Sequence, residues 1–196
     1  MSDENPVEAD DATERILSAA REVFATDGLD ASLGDVARHA GVGVGSIYRR
    51  FGNKDDLIQE LAARRFEVII DRVSSELDAD DAWEAFATEF RQSVAEYATD
   101  RGFRELVIGS VSGTLGWARG SEPDRLRAAM GRWGAQMEAA INSLIERAQE
   151  EGTLRPDVSG SVILELSIAL QSIAGLGNDH NHEKAIQIIL DGLRVT

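Results

Sequence analysis

The 196-residue chain has no cysteine, and so no disulfide framework, thiolate zinc site or cysteine nucleophile. That fits a cytoplasmic setting. Three prolines and eighteen glycines, all scattered, are too few for a collagen-like or broadly disordered chain. No run approaches the about 18 consecutive apolar residues of a spanning helix, so no membrane partner is expected. No G-x-S-x-G, P-loop, Rossmann glycine pattern or H-E-x-x-H occurs, which leaves catalysis without apparatus and gives no reason to expect a cofactor. Positive charge is scarce as well: 20 Lys plus Arg face 35 Asp plus Glu, a net charge of −15. As a total, that argues against a nucleic-acid partner, because a polyanion is approached by cations that release its counterions.

What is present is 43% apolar and 28% charged, the balance of a globular chain with a buried core. The length suits one domain, or a small module joined to a larger one. Residues 1–11 carry Asp3, Glu4, Glu8, Asp10 and Asp11, with no Lys or Arg before Arg15, and read as a disordered acidic tail rather than a secretory leader.

The local distribution of charge points the other way. From Val36 to Lys54 the chain holds Arg38, His39, Arg49, Arg50 and Lys54 and not one Asp or Glu. Charge alone fits an uneven solvated helix face equally well. Helical spacing narrows the choice. Ile16, Leu17, Ala20, Val23 and Phe24 predict an amphipathic helix over 12–27 that stops at Asp27-Gly28. Ser32-Leu33-Gly34-Asp35 has the form of a capping box, and the short helix it opens ends at Gly41-Val42-Gly43. Val44, Ile47, Tyr48 and Phe51 then form one stripe of a third helix, with Gly45, Ser46, Arg49 and Arg50 largely opposite. Asn53 is an N-cap for a long fourth helix whose apolar positions run from Leu57 to Leu77. Two short helices joined by a glycine turn and buttressed by a helix before them are a helix-turn-helix, whose second helix enters a major groove. Gly45 and Ser46 allow close approach, Arg49 can fork to guanine or phosphate, and Lys54 sits where a helix N-terminus already favours an anion. Tyr48, on the apolar stripe, suits the core as well as a phosphate contact.

The run Ala40-Gly41-Val42-Gly43-Val44-Gly45-Ser46-Ile47-Tyr48-Arg49-Arg50-Phe51-Gly52-Asn53-Lys54-Asp55-Asp56-Leu57 resembles the A-G-V-S-x-G-x-[IL]-Y-x-H-F-x-x-K-[ED]-x-L signature of the TetR family of bacterial transcriptional repressors. The resemblance covers residues 12–58 strongly; beyond them it rests on length, helical character and the Gly152–Asp157 turn. It implies that Tyr48 and Lys54 hold phosphates, that Ser46 and Arg49 read bases or adjacent phosphates, and that Gly45 lies against the DNA. Ser32, Gly43, Val44 and Arg50 complete the candidate DNA-facing set, although Ser32 also reads as a plain helix cap. Gly43 stands where the family usually has Ser, Arg50 where it has His or Tyr, and Leu33 where Thr is frequent. These departures alter the borrowed contact map at those positions.

The expected organisation is the tail 1–11, a helix-turn-helix domain 12–58 with the motif at 32–51, and a helical effector-binding and dimerisation domain 59–196. The fold class is all-α throughout. Trp83 to Tyr97, Phe103 to Leu115, Leu126 to Ala148, Val162 to Leu176 and Ala185 to Leu193 each read as helical, with no strand alternation. Phe66, Phe90, Phe103, Val107, Val111, Trp117, Met130, Trp133 and Met137 are candidates for core packing or for an apolar ligand pocket. The resemblance implies such a cavity, and the apolar and aromatic character of these residues makes a small hydrophobic or amphipathic effector the expected partner. Val162 to Leu176 is too apolar to face water on any side, which implies a partner surface. By resemblance the partner is a second copy, placing Ile163, Leu166, Leu170, Ile173, Ile186 and Ile189 at a homodimer interface and two recognition helices on a palindromic double-stranded operator. Asp179, His180, His182 and Glu183 are the one cluster of metal-ligand types, and read first as a polar interhelical loop with no metal. The function expected is a repressor released by its ligand. Two other readings stay open: a sequence-specific DNA-binding regulator without a small-molecule ligand, and a ligand-binding helical protein whose DNA module has degenerated.

Overall fold

The computed structural model describes the backbone of residues 6–112, 123–174 and 179–195, and the side chains of 11–109, 125–170 and 181–195. Nine α-helices occur among the described residues: α1 (Pro6–Asp27), α2 (Leu33–Ala40), α3 (Val44–Phe51), α4 (Lys54–Glu76), α5 (Ala82–Thr99), α6 (Arg101–Ser112), α7 (Pro123–Glu150), α8 (Gly160–Ala174) and α9 (Asp179–Leu193). The one extended pairing among them is an isolated antiparallel bridge between Leu154 and Arg194.

Two ends depart from the sequence reading. The first helix begins at Pro6, not at residue 12, so much of the expected acidic tail is helical. Proline is pre-organised for a first turn, and carboxylates near a helix N-terminus are favoured by the macrodipole. The last helix begins at Asp179, so the polar stretch expected to be a loop forms its first turns. Those turns hold no apolar position for periodicity to detect.

The chain packs as two units. The first comprises residues 1–64 and 100–130, and the second residues 65–99 and 131–196. In the first, Ile16, Leu17, Ala20 and Phe24 of α1 bury against α2 and α6, together with Leu29, Val36, Ile47 and Leu57. α6 lies close on α1, because a Cβ added at Gly102 would stand 2.8 Å from the Phe24 carbonyl oxygen. Glu105 of α6 fastens the turn that follows α1, its Oε2 accepting the Leu29 N–H at 2.8 Å while Oε1 accepts from Arg101 Nε at 2.7 Å.

In the second unit a core of Trp83, Phe86, Phe90 and Val94 from α5 packs with Leu144, Ile145, Ile163, Leu170, Ile186 and Leu190 from α7, α8 and α9. Phe86 stacks on Phe90, with ring centroids 6.3 Å apart. An ion network ties the second unit's part of α4 to α5. Arg72 Nε and Nη2 donate to the two Glu89 carboxylate oxygens at 2.8 Å each, and Nη1 donates to Glu96 Oε1 at 2.7 Å. Glu89 is buried, and burial raises its carboxyl above the ordinary value even though Arg72 pulls it down.

These positions bear on the expected dimer face. Ile163, Leu170 and Ile186 are spent inside the protomer's own core, and Leu166 and Ile189 lie partly buried against it. Apolar surface is open instead at Val162, 39% exposed, and Ile188, 63% exposed. Periodicity reports that a helix is apolar all round, and not which stripe its own chain covers. The side chain of Ile173 lies outside the described residues.

Candidate nucleic-acid interface

The interface is built from α2, α3 and the start of α4. At Ser32 the capping box closes as expected: Ser32 Oγ accepts the Asp35 N–H at 3.2 Å and Asp35 Oδ2 accepts the Ser32 N–H at 3.1 Å. The Ser32 hydroxyl also donates to Asp35 Oδ2 at 2.6 Å and Arg38 donates to Oδ1, which together hold the Asp35 carboxyl down at about 2. Ser32 is thus committed to the cap. Helix α2 ends at Gly41, whose φ of 66° is left-handed, and its N–H returns to the carbonyls of Ala37 and Arg38. A side chain at that φ would be strained, which is why a glycine closes the turn.

Helix α3 starts at Gly43, an extended N-cap with no side-chain hydrogen bond, as the missing hydroxyl requires. Ile47 alone of this helix is fully buried. Val44 and Tyr48, expected on the same apolar stripe, are 43% and 53% exposed. Tyr48 is therefore not a core residue, which leaves its ring and hydroxyl at the surface. Gly45 and Arg49 share that outer face, and Ser46 and Arg50 flank it half-buried. Arg49 Nη2 donates to Ser46 Oγ at 2.9 Å, so the two side chains expected to read bases hold each other, one helical turn apart.

Helix α4 is capped as expected, Asn53 Oδ1 accepting the Asp56 N–H at 2.8 Å. Lys54 begins the helix with its ammonium 5.8 Å from the Phe24 ring centroid. Burial lowers its pKa, while Asp30, Asp55 and Glu105 nearby favour the charged form. Two island residues left outside the candidate set have carboxylate partners, Arg38 on Asp35 and His39 Nε2 on Glu22 Oε2 at 2.8 Å. The candidate residues Gly43, Val44, Gly45, Ser46, Tyr48, Arg49, Arg50 and Lys54 thus fall on one short helix and the two ends that flank it.

The expected ligand-pocket residues divide between the two units. Phe103, Val107 and Met130 are buried in the first unit, whereas Phe66, Phe90, Trp133 and Met137 belong to the second. Phe90 fills the second unit's core, and Phe66 stacks on Trp133 at 5.6 Å with 16° between the rings. Large apolar side chains every three or four residues mark a core as readily as a cavity. The side chain of Val111 and the whole of Trp117 lie outside the described residues.

A groove of about 600 Å³ does open on the second unit, between α5 and α9. Arg91, Gln92, Ala95 and Ala98 line it from α5, and His182, Glu183 and Ile186 from α9. None of the pocket candidates lines it, whereas Ile186, a candidate for the dimer face, does. The α5 residues read in sequence as an ordinary solvated face. His182 enters it as part of the candidate metal cluster; no group of three or more potential metal ligands occurs among the described residues, and the side chains of Asp179 and His180 lie outside them. No described helix is long and apolar enough to cross a membrane.

Comparison with known proteins matches this geometry to a family. The profile of bacterial regulatory proteins of the tetR family matches residues 16–61, and that of the C-terminal domain of SbtR-like transcriptional regulators matches residues 78–195. The HTH-type transcriptional regulator AlkX of Mycobacterium tuberculosis is 36% identical over 57% of this chain, and the match spans 50% of that protein. The HTH-type transcriptional repressor BepR of Brucella suis is 28% identical over 96% of this chain and 90% of its own length. The crystal structure of a TetR transcription regulatory protein from Mycobacterium vanbaalenii superposes with a TM-score of 0.65 at 31% identity, covering 97% of this chain and 100% of that one. Matched at both its helix-turn-helix and its C-terminal helices, the chain belongs to the tetR family and is a DNA-binding transcriptional regulator rather than an enzyme.

Proposed function

We propose that the protein is a cytoplasmic, homodimeric repressor that places α3 of each protomer in successive major grooves of a palindromic operator and is released by a small hydrophobic or amphipathic effector. The observation that carries the reading is the outer face of α3, where Gly45, Tyr48 and Arg49 stand exposed on a stretch from Val36 to Lys54 without a carboxylate. On an acidic chain such a face is the surface a polyanion can approach. Tyr48 and Lys54 hold phosphates, Ser46 and Arg49 exchange their mutual hydrogen bond for base or phosphate contacts, and Gly43, Val44 and Arg50 border the groove.

Ser32 contributes through the cap that orients α2. The exposed Val162 and Ile188 on α8 and α9 supply apolar area for a second copy, and the likeness to the repressor BepR supports the sign of regulation. Half-buried Trp133 and Met137, with Phe66 stacked behind, offer an apolar wall to an effector. An effector that prefers the conformer with wrongly spaced recognition helices weakens operator binding by linkage, and about 1.4 kcal/mol of coupling gives a tenfold loss.

Fluorescence anisotropy on DNA from upstream of its own gene, with excess random DNA and a salt series, tests the reading. Specific binding that Arg49→Ala and Lys54→Ala both weaken is expected, with the lysine change lowering the salt slope by about one. Binding that neither change weakens would remove α3 and Lys54 from the interface.

A further inference from the structure

The groove between α5 and α9 carries an unmet hydrogen-bonding demand. Both ring nitrogens of His182, which lines it, are buried without a hydrogen-bond partner. Folded proteins rarely leave buried nitrogens so, and a partner from outside is one way to meet that demand. Across the groove Arg91 has five N–H donors and spends one, Nη2 to Gln187 Oε1 at 3.2 Å. On the α5 wall Ala95 and Ala98 are exposed one turn apart, and Ile186 of α9 also lines the groove. Two small side chains at that spacing leave a flat apolar strip.

The volume of about 600 Å³ lies within the range of small-molecule sites, roughly 300 to 1,000 Å³. A planar carboxylate matches the guanidinium fork of Arg91. Glu183 on the same wall disfavours a second negative charge.

We propose that the α5–α9 groove binds an aromatic monocarboxylate bearing an ortho hydroxyl, with the carboxylate on Arg91, the ring on the Ala95–Ala98 strip, and the hydroxyl between the two polar walls on His182. A neutral imidazole offers one donor and one acceptor on diverging sides of its ring, and the hydroxyl oxygen, its own proton held by the adjacent carboxylate, accepts the imidazole N–H. The site differs from the Phe66–Trp133 wall assigned to the effector, and its occupancy does not depend on DNA binding.

The test is calorimetric titration of the full chain with 2-hydroxybenzoate, benzoate and benzylamine. Saturable binding of 2-hydroxybenzoate is expected, weaker by about threefold for benzoate and lost for the cation. Arg91→Ala and His182→Ala weaken it at least about tenfold with the helical circular dichroism unchanged. Should either variant fail to fold, Ala95→Trp, at an exposed position, fills the strip and abolishes binding. Absence of saturable binding of either acid up to about 10 mM, equal affinity for benzylamine, or full affinity in Ala95→Trp each overturns the proposal. If neither acid binds and Ala95→Trp instead splits a dimer in sedimentation, the groove is a self-association surface and the assignment fails.

Discussion

Replacing Gly102 with alanine tests how closely α6 lies on α1. In a helix interior the substitution ordinarily stabilises by up to about 1 kcal/mol, because glycine has more backbone freedom to lose on folding. At Gly102 the new methyl would stand 2.8 Å from the Phe24 carbonyl oxygen and 2.9 Å from its Cβ. Backbone atoms do not swing aside, so α6 must shift, and overpacking of this kind costs about 1 to 3 kcal/mol. Gly102 is only the second residue of α6, where less propensity is gained than in an interior, so the clash outweighs the gain and leaves a net loss of about 1 to 2 kcal/mol. Gly131 and Gly134, exposed on α7, are the controls. A Cβ at either meets nothing within 4 Å, so alanine there should stabilise by about 1 kcal/mol. One substitution thus has opposite signs at two kinds of site. Urea unfolding followed by circular dichroism at fixed protein concentration reads the difference as midpoints moving in opposite directions at constant slope. A Gly102→Ala protein as stable as the parent, with the α7 variants raised, would mean that α1 and α6 are not in this contact.

Other consequences are as direct. Because Ser32 and Arg38 hold Asp35 down at about 2 against an ordinary 3.8, its contribution is complete above pH 3.8 and fades as the pH falls through 2. The Asp35 side-chain NMR shift should therefore titrate near 2 and move upward in Ser32→Ala; an unchanged midpoint removes the serine from the cause. Ser32→Ala should also cost about 1 kcal/mol of stability, and Ser32→Thr much less. Arg72→Met strands the buried Glu89 carboxylate and should cost about 3 to 5 kcal/mol, whereas Arg72→Met with Glu89→Leu should recover most of it; equal losses in single and double variants would show that the pair is not coupled.

Features governed by a few neighbouring residues were legible in the sequence. The Ser32–Asp35 box, the Gly41 turn and the Asn53 cap each depend on one backbone conformation and one short side-chain reach, so residue type and spacing suffice. Features governed by what packs above a helix were not. Val44 and Tyr48 share a stripe with Ile47 by periodicity, yet Ile47 alone is covered. Ile163, Leu170 and Ile186 are apolar whether they meet their own chain or another, and only the fold assigns them to the protomer core. Chain order likewise does not announce that α6 packs back on α1. The α5 wall of the groove left no trace, because Arg91 and Gln92 read as any solvated helix face.

The return of α6 also sets an order of assembly. Glu105 leaves the ribosome 76 residues after Leu29, whose amide it binds. At about 5 to 20 residues per second that delay is roughly 4 to 15 s. Through that interval the helix-turn-helix has been translated, but the turn after α1 lacks its carboxylate and Phe24 lacks the helix that covers it. The DNA-binding end of the molecule is therefore completed after its own sequence has been synthesised. A message truncated between the two would release a chain with every candidate DNA contact and no finished scaffold to hold them.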